Sequence, residues 1–366
     1  MPAFKGRSRG LSNVTESDTS AANGRTRKSM PNIFGSSGGG SGMASLSVPG
    51  SPTRESKTPP FRSPRRTPEP EPKSFKPASG HPGNLSSEQQ KALDTLRQSL
   101  LDAKVIEKSE DAPPHQEVQL LRFLRARSFD VNAAREMYLR AEKWKSSVNL
   151  DQLCTEWSFE ERDVVAKHGW RMYFHKTDRL GRPIFIQDLS NLDPDKVFSH
   201  TSPDRIVQNF AVTLEEAVRY RYLACTMSQG HLVDDNFMVL NVAGLGLGTF
   251  WAMKNQLQSL LSILDDNFPE LSGRVQIINA PYLFSTVWSY IKGWLPAQTA
   301  EKIDICGTDY LPTISNYVDM HAWPKHLGGH CVCDVAPEST RKACEVSDAG
   351  PWEPALCSVR AKNKET

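Results

Sequence analysis

From Leu85 onward, apolar residues recur at helical spacing. LSSEQQKALDTLRQSLLDA carries leucines at 93, 96, 100 and 101, with Ser86 or Ser87 placed to cap the start. QEVQLLRFLRAR and, after Asp130, VNAAREMYLRAEKWK continue the pattern. The spacing predicts three helices in this stretch, a bundle too thin to bury a core alone. After Asp151 the texture changes. WRMYFHK (170–176) and PIFIQDL (183–189) predict short strands joined by a turn at Gly181. FMVLNV (237–242) and VQIIN (275–279) are apolar enough for strands buried on both faces, and KIDIC (302–306) predicts a last strand. Between them lie a long helix over 203–229 capped by Ser202, a helix in TFWAMKNQLQSLLSILDDN, and another from Phe284 to about Gly293. Helical pieces continue as far as Leu327. This alternation predicts an α/β domain with a mostly parallel sheet.

Charge divides the chain differently. Of 366 residues, the first 80 carry 13 basic and 5 acidic side chains, and the rest carry 31 and 37. That arm is rich in Ser, Pro and Gly and too poor in large apolar groups to offset chain entropy, so it is expected to be disordered. Phosphorylation at Ser63 or Thr67, beside Arg62, Arg65 and Arg66, would cut its positive charge. Seven scattered cysteines and no apolar leader point to reduced thiols in the cytosol. HCVC (330–333), with His326 upstream, has half the makings of a metal site. No second ligand pair is visible, so no metal is expected.

One stretch raises three chemical readings. FMVLNVAGLGLGTFWAM (237–253) has no charge and ends its strand in Gly244, Gly246 and Gly248. A membrane span needs about 20 apolar residues, and the glycines interrupt this one. A dinucleotide site needs G-x-G-x-x-G and an acid after the next strand, but the spacing is G-x-G-x-G and VQIIN ends in Asn279. A pocket wall or a plain core strand remains. Catalytic signals are equally thin. There is no G-x-S-x-G elbow, and His168, His175, His200 and His231 have no evident nucleophile partner. No catalytic residue is assigned.

Three segments taken together resemble a known family. Residues 83–145 (GNLSSEQQ…LLRFLRARSFDVNAAREMYLRAEKWK), 175–189 (HKTDRLGRPIFIQDL) and 302–331 (KIDICGTDYLPTISNYVDMHAWPKHLGGHC) are similar to the CRAL-TRIO lipid-binding family, and within it to fungal-type phosphatidylinositol/phosphatidylcholine transfer proteins. The resemblance implies an α/β fold: an N-terminal three-helix lobe (81–150), then a CRAL-TRIO lobe (151–333), then a tail (334–366). In the second lobe a mixed, mostly parallel sheet floors an apolar lipid pocket closed by a gate helix. FSTVWSYIKGWLP (284–296) suits that gate, since Phe284, Val287, Trp288, Ile291, Trp294 and Leu295 share an apolar face, and Gly293 and Pro296 supply hinges.

The resemblance also assigns positions. Arg127, Ser128, Glu270 and Lys302 match the phosphoinositide headgroup site, with Ser128 where the family has Lys. Arg can fork onto phosphate, Lys supplies a point charge and Glu can accept from inositol hydroxyls. Phe174, Phe185, Leu214, Asn236 and Met238 stand where the family sets three Tyr, a Ser and a Thr around phosphatidylcholine. A phosphate without donors in an apolar cavity is costly, so a second, more apolar cargo is expected in its place. The implied protein is a cytosolic carrier of phosphatidylinositol, with bound phospholipid as cargo and no cofactor. It would touch membrane surfaces transiently, at the Golgi or other endomembranes. It would supply a phosphoinositide kinase and bind no nucleic acid. The alternative is a sensor of hydrophobic ligands that recruits a partner without moving lipid.

Overall fold

A computed structural model of the chain describes residues 76–108, 115–295, 297–333 and 343–353, and these fall in one compact unit. Pro296, Ser63, Thr67 and nearly all of the basic arm lie outside the described residues.

The three expected helices are present as α1 (Ser87–Asp102), α2 (Gln116–Ala126) and α3 (Val131–Ser147). Ser86 and Gln89 cap α1 reciprocally: the Gln89 amide donates to Ser86 Oγ at 3.2 Å and the Ser86 amide to Gln89 Oε1 at 2.9 Å. Asp130 caps α3 by accepting from the Ala133 amide. Leu93, Leu96, Leu100, Leu120, Leu121 and Leu124 fill the centre of the bundle, with Phe123 edge-on to Tyr138 at 4.9 Å. The bundle does not stand alone. Arg125 pairs with Asp234 at 3.0 Å, and the Arg122 guanidinium donates to the Asp234 carbonyl. Burial raises the Asp234 carboxyl, but His81, Arg122 and Arg125 outweigh it and hold the group well below the ordinary carboxylate range.

Four short helices come after the bundle or flank the sheet: α4 (Leu150–Glu156), α5 (Arg162–Lys167), α6 (Pro194–His200) and, later, α8 (Tyr222–Gln229). The five expected strands form one sheet in the order β1 (Arg171–Thr177), β2 (Pro183–Asp188), β3 (Asn236–Asn241), β4 (Ser272–Ile278), β5 (Ile303–Ile305). β1 runs antiparallel to β2, and every other pair is parallel. Each strand sends alternate side chains to opposite faces. One face carries Tyr173, Ile184, Ile186, Phe237, Val239 and Ile278, packed solidly under Tyr310, Ile314, Tyr317, Val318 and Trp323. The other carries Phe174, Phe185, Met238 and Ile277 beneath α7 (Pro203–Glu216), α9 (Leu247–Asn267) and α10 (Phe284–Lys292).

The long helix expected over 203–229 is interrupted. Ala217–Arg221 forms a π-helical turn between α7 and α8. An extra residue in one turn rotates the remainder of the helix about its axis. Arg221 and Tyr222 are thereby buried, whereas Leu223 is left exposed. Of the three glycines after β3, one is demanded by conformation. Gly244 sits at φ +72°, and a Cβ there would meet Asn191 Oδ1 at 2.4 Å. Gly246 and Gly248 face open space as α9 begins. Among the described residues no helix is long and apolar enough to cross a membrane.

Candidate functional site

Several apolar side chains at the centre of the molecule are only half-buried. Leu240 on β3, Val275 on β4, Ile303 on β5, Leu257 and Leu264 on α9, and Trp288 and Ile291 on α10 all remain partly accessible. Central strands and core-facing helix positions normally close on each other. These do not, because they face a cavity. It holds about 1000 Å³ of space unfilled by atoms, part of it continuous with solvent. The space open to a water-sized sphere is about 130 Å³, below the roughly 300–1,000 Å³ of ligand pockets, so with α10 in this position the cavity is small. Its wall is almost wholly apolar: Met238, Leu240, Val275 and Ile277 from the sheet face α9 and α10.

Five of the six expected gate residues are on that wall. Phe284, Val287, Trp288, Ile291 and Leu295 line the cavity, and Trp294 stacks on Phe250 at 6.3 Å and 13°. Around the start of α9 and along α10 the surface is aromatic. Tyr282, Leu283, Trp251 and Tyr290 are all exposed, and Trp251 and Tyr290 meet edge-on at 4.8 Å. Lys254 lies 5.8 Å from the Trp251 ring.

Of the five positions expected to hold the second cargo, Met238 alone lines the cavity. The other four do not line it. Phe174 stacks on Phe185 at 4.7 Å, and Phe185 meets Phe210. Trp352, fully buried, closes on Phe174 edge-on at 6.2 Å. The Arg221 guanidinium lies 4.5 Å over Phe174 and pairs with Asp348 at 3.1 Å. Leu214 is sealed in the same core. The Asn236 amide faces the Tyr222 hydroxyl, but neither closes an ordinary hydrogen bond. Trp352 belongs to residues 343–353, part of the expected tail. In the structure this stretch is a strap along β1, fixed where the Lys176 amide donates to the Ala349 carbonyl at 2.6 Å and the Trp352 indole to the Asp348 carbonyl at 2.8 Å. Nothing in its spacing signals that docking.

The headgroup positions are partly brought together. Glu270, at φ +59° just before β4, pairs with Lys302, just before β5, at 3.0 Å. Arg127 caps the C-terminus of α2 and donates to the Ala126 carbonyl, and Ser128 turns the chain at φ +50°. Asp265 lies within electrostatic reach of both Arg127 and Glu270; half-burial, then Asp266, raise its carboxyl. The geometry is a rim of charges beside an apolar chamber. Arg125 and Asp265, outside the expected headgroup positions, bring more charge to the same neighbourhood.

HCVC also gains what the sequence lacked. Cys344 of the strap and His175 of β1 come up to Cys331 and Cys333.

Comparison with known proteins agrees with this geometry. Residues 167–329 match the CRAL/TRIO domain, and residues 85–137 match the CRAL/TRIO, N-terminal domain. The chain is 34% identical to "Sec14 cytosolic factor" of Schizosaccharomyces pombe over 273 residues, 75% of this chain and 91% of that protein. It is 33% identical to "SEC14 cytosolic factor" of Kluyveromyces lactis, across 75% of this chain and 87% of the relative. It is 32% identical to "Phosphatidylinositol/phosphatidylcholine transfer protein SFH12" of Arabidopsis thaliana, over 76% of this chain but 49% of that longer protein. Among solved structures, that of Sfh5 superposes with a TM-score of 0.54 at 14% identity, over 77% of this chain and 99% of the other, a likeness of fold alone.

Proposed function

This chain belongs to the CRAL-TRIO family, and from that premise we propose that it is a cytoplasmic carrier. It takes phosphatidylinositol from one membrane into the cavity and delivers it to another, without covalent chemistry. The observation that carries this reading is the apolar chamber under α10. Leaving a bilayer forfeits about 0.8 kcal/mol per methylene, so two ordinary acyl chains forfeit more than about 20 kcal/mol. A polar groove cannot repay that. A chamber walled by Met238, Leu240, Val275, Ile277 and the α10 face can, once α10 swings outward to enlarge it. Relatives named for phosphatidylinositol and phosphatidylcholine transfer support the same reading.

Arg127, Ser128, Glu270 and Lys302 hold the inositol phosphate in this proposal. The Glu270–Lys302 pair opens to receive it, and Ser128 in place of a Lys weakens the grip by one cation. The aromatic surface at Trp251, Tyr282, Leu283 and Tyr290 meets the membrane during exchange, at the Golgi or another endomembrane, and presented lipid feeds a phosphoinositide kinase. Phosphatidylcholine is a poor ligand, because Phe174, Phe185 and Leu214 are packed into a closed core and leave no donor-lined site for its phosphate; the second cargo is a more apolar lipid.

Organic extraction of the purified protein, followed by mass spectrometry, tests the cargo. Phosphatidylinositol with an apolar companion is the expected result, and abundant phosphatidylcholine would refute the selectivity. Lys302→Ala should cut phosphatidylinositol transfer between liposomes about tenfold, the loss of one charge-assisted contact of roughly 1.4 kcal/mol. Binding of a neutral lipid should persist. Binding without any transfer would favour a ligand sensor instead.

A further inference from the structure

Four metal-binding side chains from three separate stretches converge at one end of β1. His175 comes from β1, Cys331 and Cys333 from the turn after the 3-10 helix Lys325–Leu327, and Cys344 from the short helix Ala343–Val346 of the strap. Their ligand atoms all lie within 4.8 Å of one another. Cys331 Sγ and Cys333 Sγ are 3.7 Å apart. In a tetrahedral zinc thiolate site, with zinc–sulfur bonds of about 2.3 Å, neighbouring sulfurs sit about 3.8 Å apart. One pair already has that spacing, and the rest need close by no more than about 1 Å to reach it.

The imidazole supplies a second, independent observation. His175 is fully buried, and among the described residues its Nε2 has no hydrogen-bond partner. An orphaned buried nitrogen costs about 1–3 kcal/mol, so such atoms call for an explanation. The other ring nitrogen, Nδ1, faces Ser347 Oγ at 3.3 Å. In the tautomer protonated on Nδ1, that is the outer contact a metal-bound histidine needs, and Nε2 is then the nitrogen available as ligand. A neighbouring group of Asp188, His326 and Glu345 differs in kind. Arg171 lies 3.8 Å from each of the two carboxylates there, so that group is internally balanced.

We propose that His175, Cys331, Cys333 and Cys344 form a structural zinc site that staples the strap to β1 and to the turn at 331–333. Three sulfurs and one imidazole nitrogen select a borderline-soft tetrahedral ion over magnesium or calcium. Binding converts the three thiols to thiolates and releases their protons to solvent. All four positions are taken by protein, so the ion has no open site for chemistry. Its consequence is mechanical. Trp352, eight residues beyond Cys344, is held against Phe174 by the same strap.

The test uses the 366-residue chain, purified with thiol reductant, without chelator and without a histidine tag. Elemental analysis should find about one zinc per chain. Cys333→Ser, at the half-buried position least needed for packing, should lower zinc content at least fivefold, and Cys154→Ser should leave it unchanged. Chelation should lower the melting temperature, and added zinc should restore it. Cobalt added to the stripped protein should produce thiolate charge-transfer absorption, absent from Cys333→Ser. Less than a tenth of an equivalent of zinc after zinc addition, in protein shown folded by circular dichroism, overturns the proposal. So does a Cys331–Cys333 disulfide in the mass of the protein as isolated from cells.

Discussion

Over one face of the same sheet, two halves of the interior are built in opposite ways. Above β3–β5 the wall residues Leu240, Val275 and Ile303 look into unfilled space. Above β1–β2, Phe174, Phe185, Phe210 and Trp352 close ring against ring, with Arg221 laid over them. Both halves are apolar, so hydropathy does not tell them apart. What differs is what stands opposite. The solid half receives a π-helical turn that drives Arg221 inward and a strap that drives Trp352 inward. The hollow half receives α10, a short amphipathic helix whose apolar face spans the gap without filling it. A pocket here is therefore a missing partner rather than a special lining.

The largest effect should come from breaking the solid half. Trp352→Ala deletes a fully buried indole that touches Phe174 and Arg221 and donates to the Asp348 carbonyl. Truncating a core aromatic costs about 3–5 kcal/mol. Urea unfolding should show that loss. If the variant still folds, its chamber should extend towards Phe174 and Phe185, and extracted lipid should include a bulkier second species. A cost under about 1 kcal/mol would mean that the strap is not held as described.

How far the sequence anticipated this contrast depends on the range of the signal. The five strands were legible because each is a short apolar run bounded by turn residues. The main helices were legible through leucine and aromatic spacing. α4, α5 and α6 were not expected, since six or seven residues carry too little periodicity. The gate face was legible because Phe284, Val287, Trp288 and Ile291 recur on a single helix. Of the five positions expected to hold the second cargo, Met238 alone lines the chamber. Its neighbours Phe174 and Phe185 were placed correctly on their strands, but whether they face space or a tryptophan 178 residues further on is not local information. The same holds for His175 and Cys344, which come together across 169 residues.

A middle-sized effect should come from filling the hollow half. Val275→Trp points an indole into the chamber from the middle of β4. Where space is truly vacant the larger side chain should fit, with stability changed by under about 1 kcal/mol. Lipid recovered by extraction should then fall severalfold. Overpacking a closed core costs about 1–3 kcal/mol instead. A destabilisation of that size with lipid content unchanged would place the cargo elsewhere.

The smallest effect on stability, and the finest test of the contrast, lies at the outer edge of the hollow half. The solid half is sealed from solvent, whereas the hollow one is bordered by Trp251 and Tyr290, both exposed and packed edge-on against each other. Trp251→Ala should change folding stability by about 0.5 kcal/mol or less, as surface substitutions usually do. Membrane contact should feel it far more. Burying one large apolar side chain is worth about 1.5–3 kcal/mol, so vesicle affinity should weaken about tenfold or more. Sedimentation with phosphatidylinositol-containing vesicles measures this directly. Equal binding by wild type and variant would remove the aromatic edge from the proposed route into the chamber and leave α10 as a wall rather than a door.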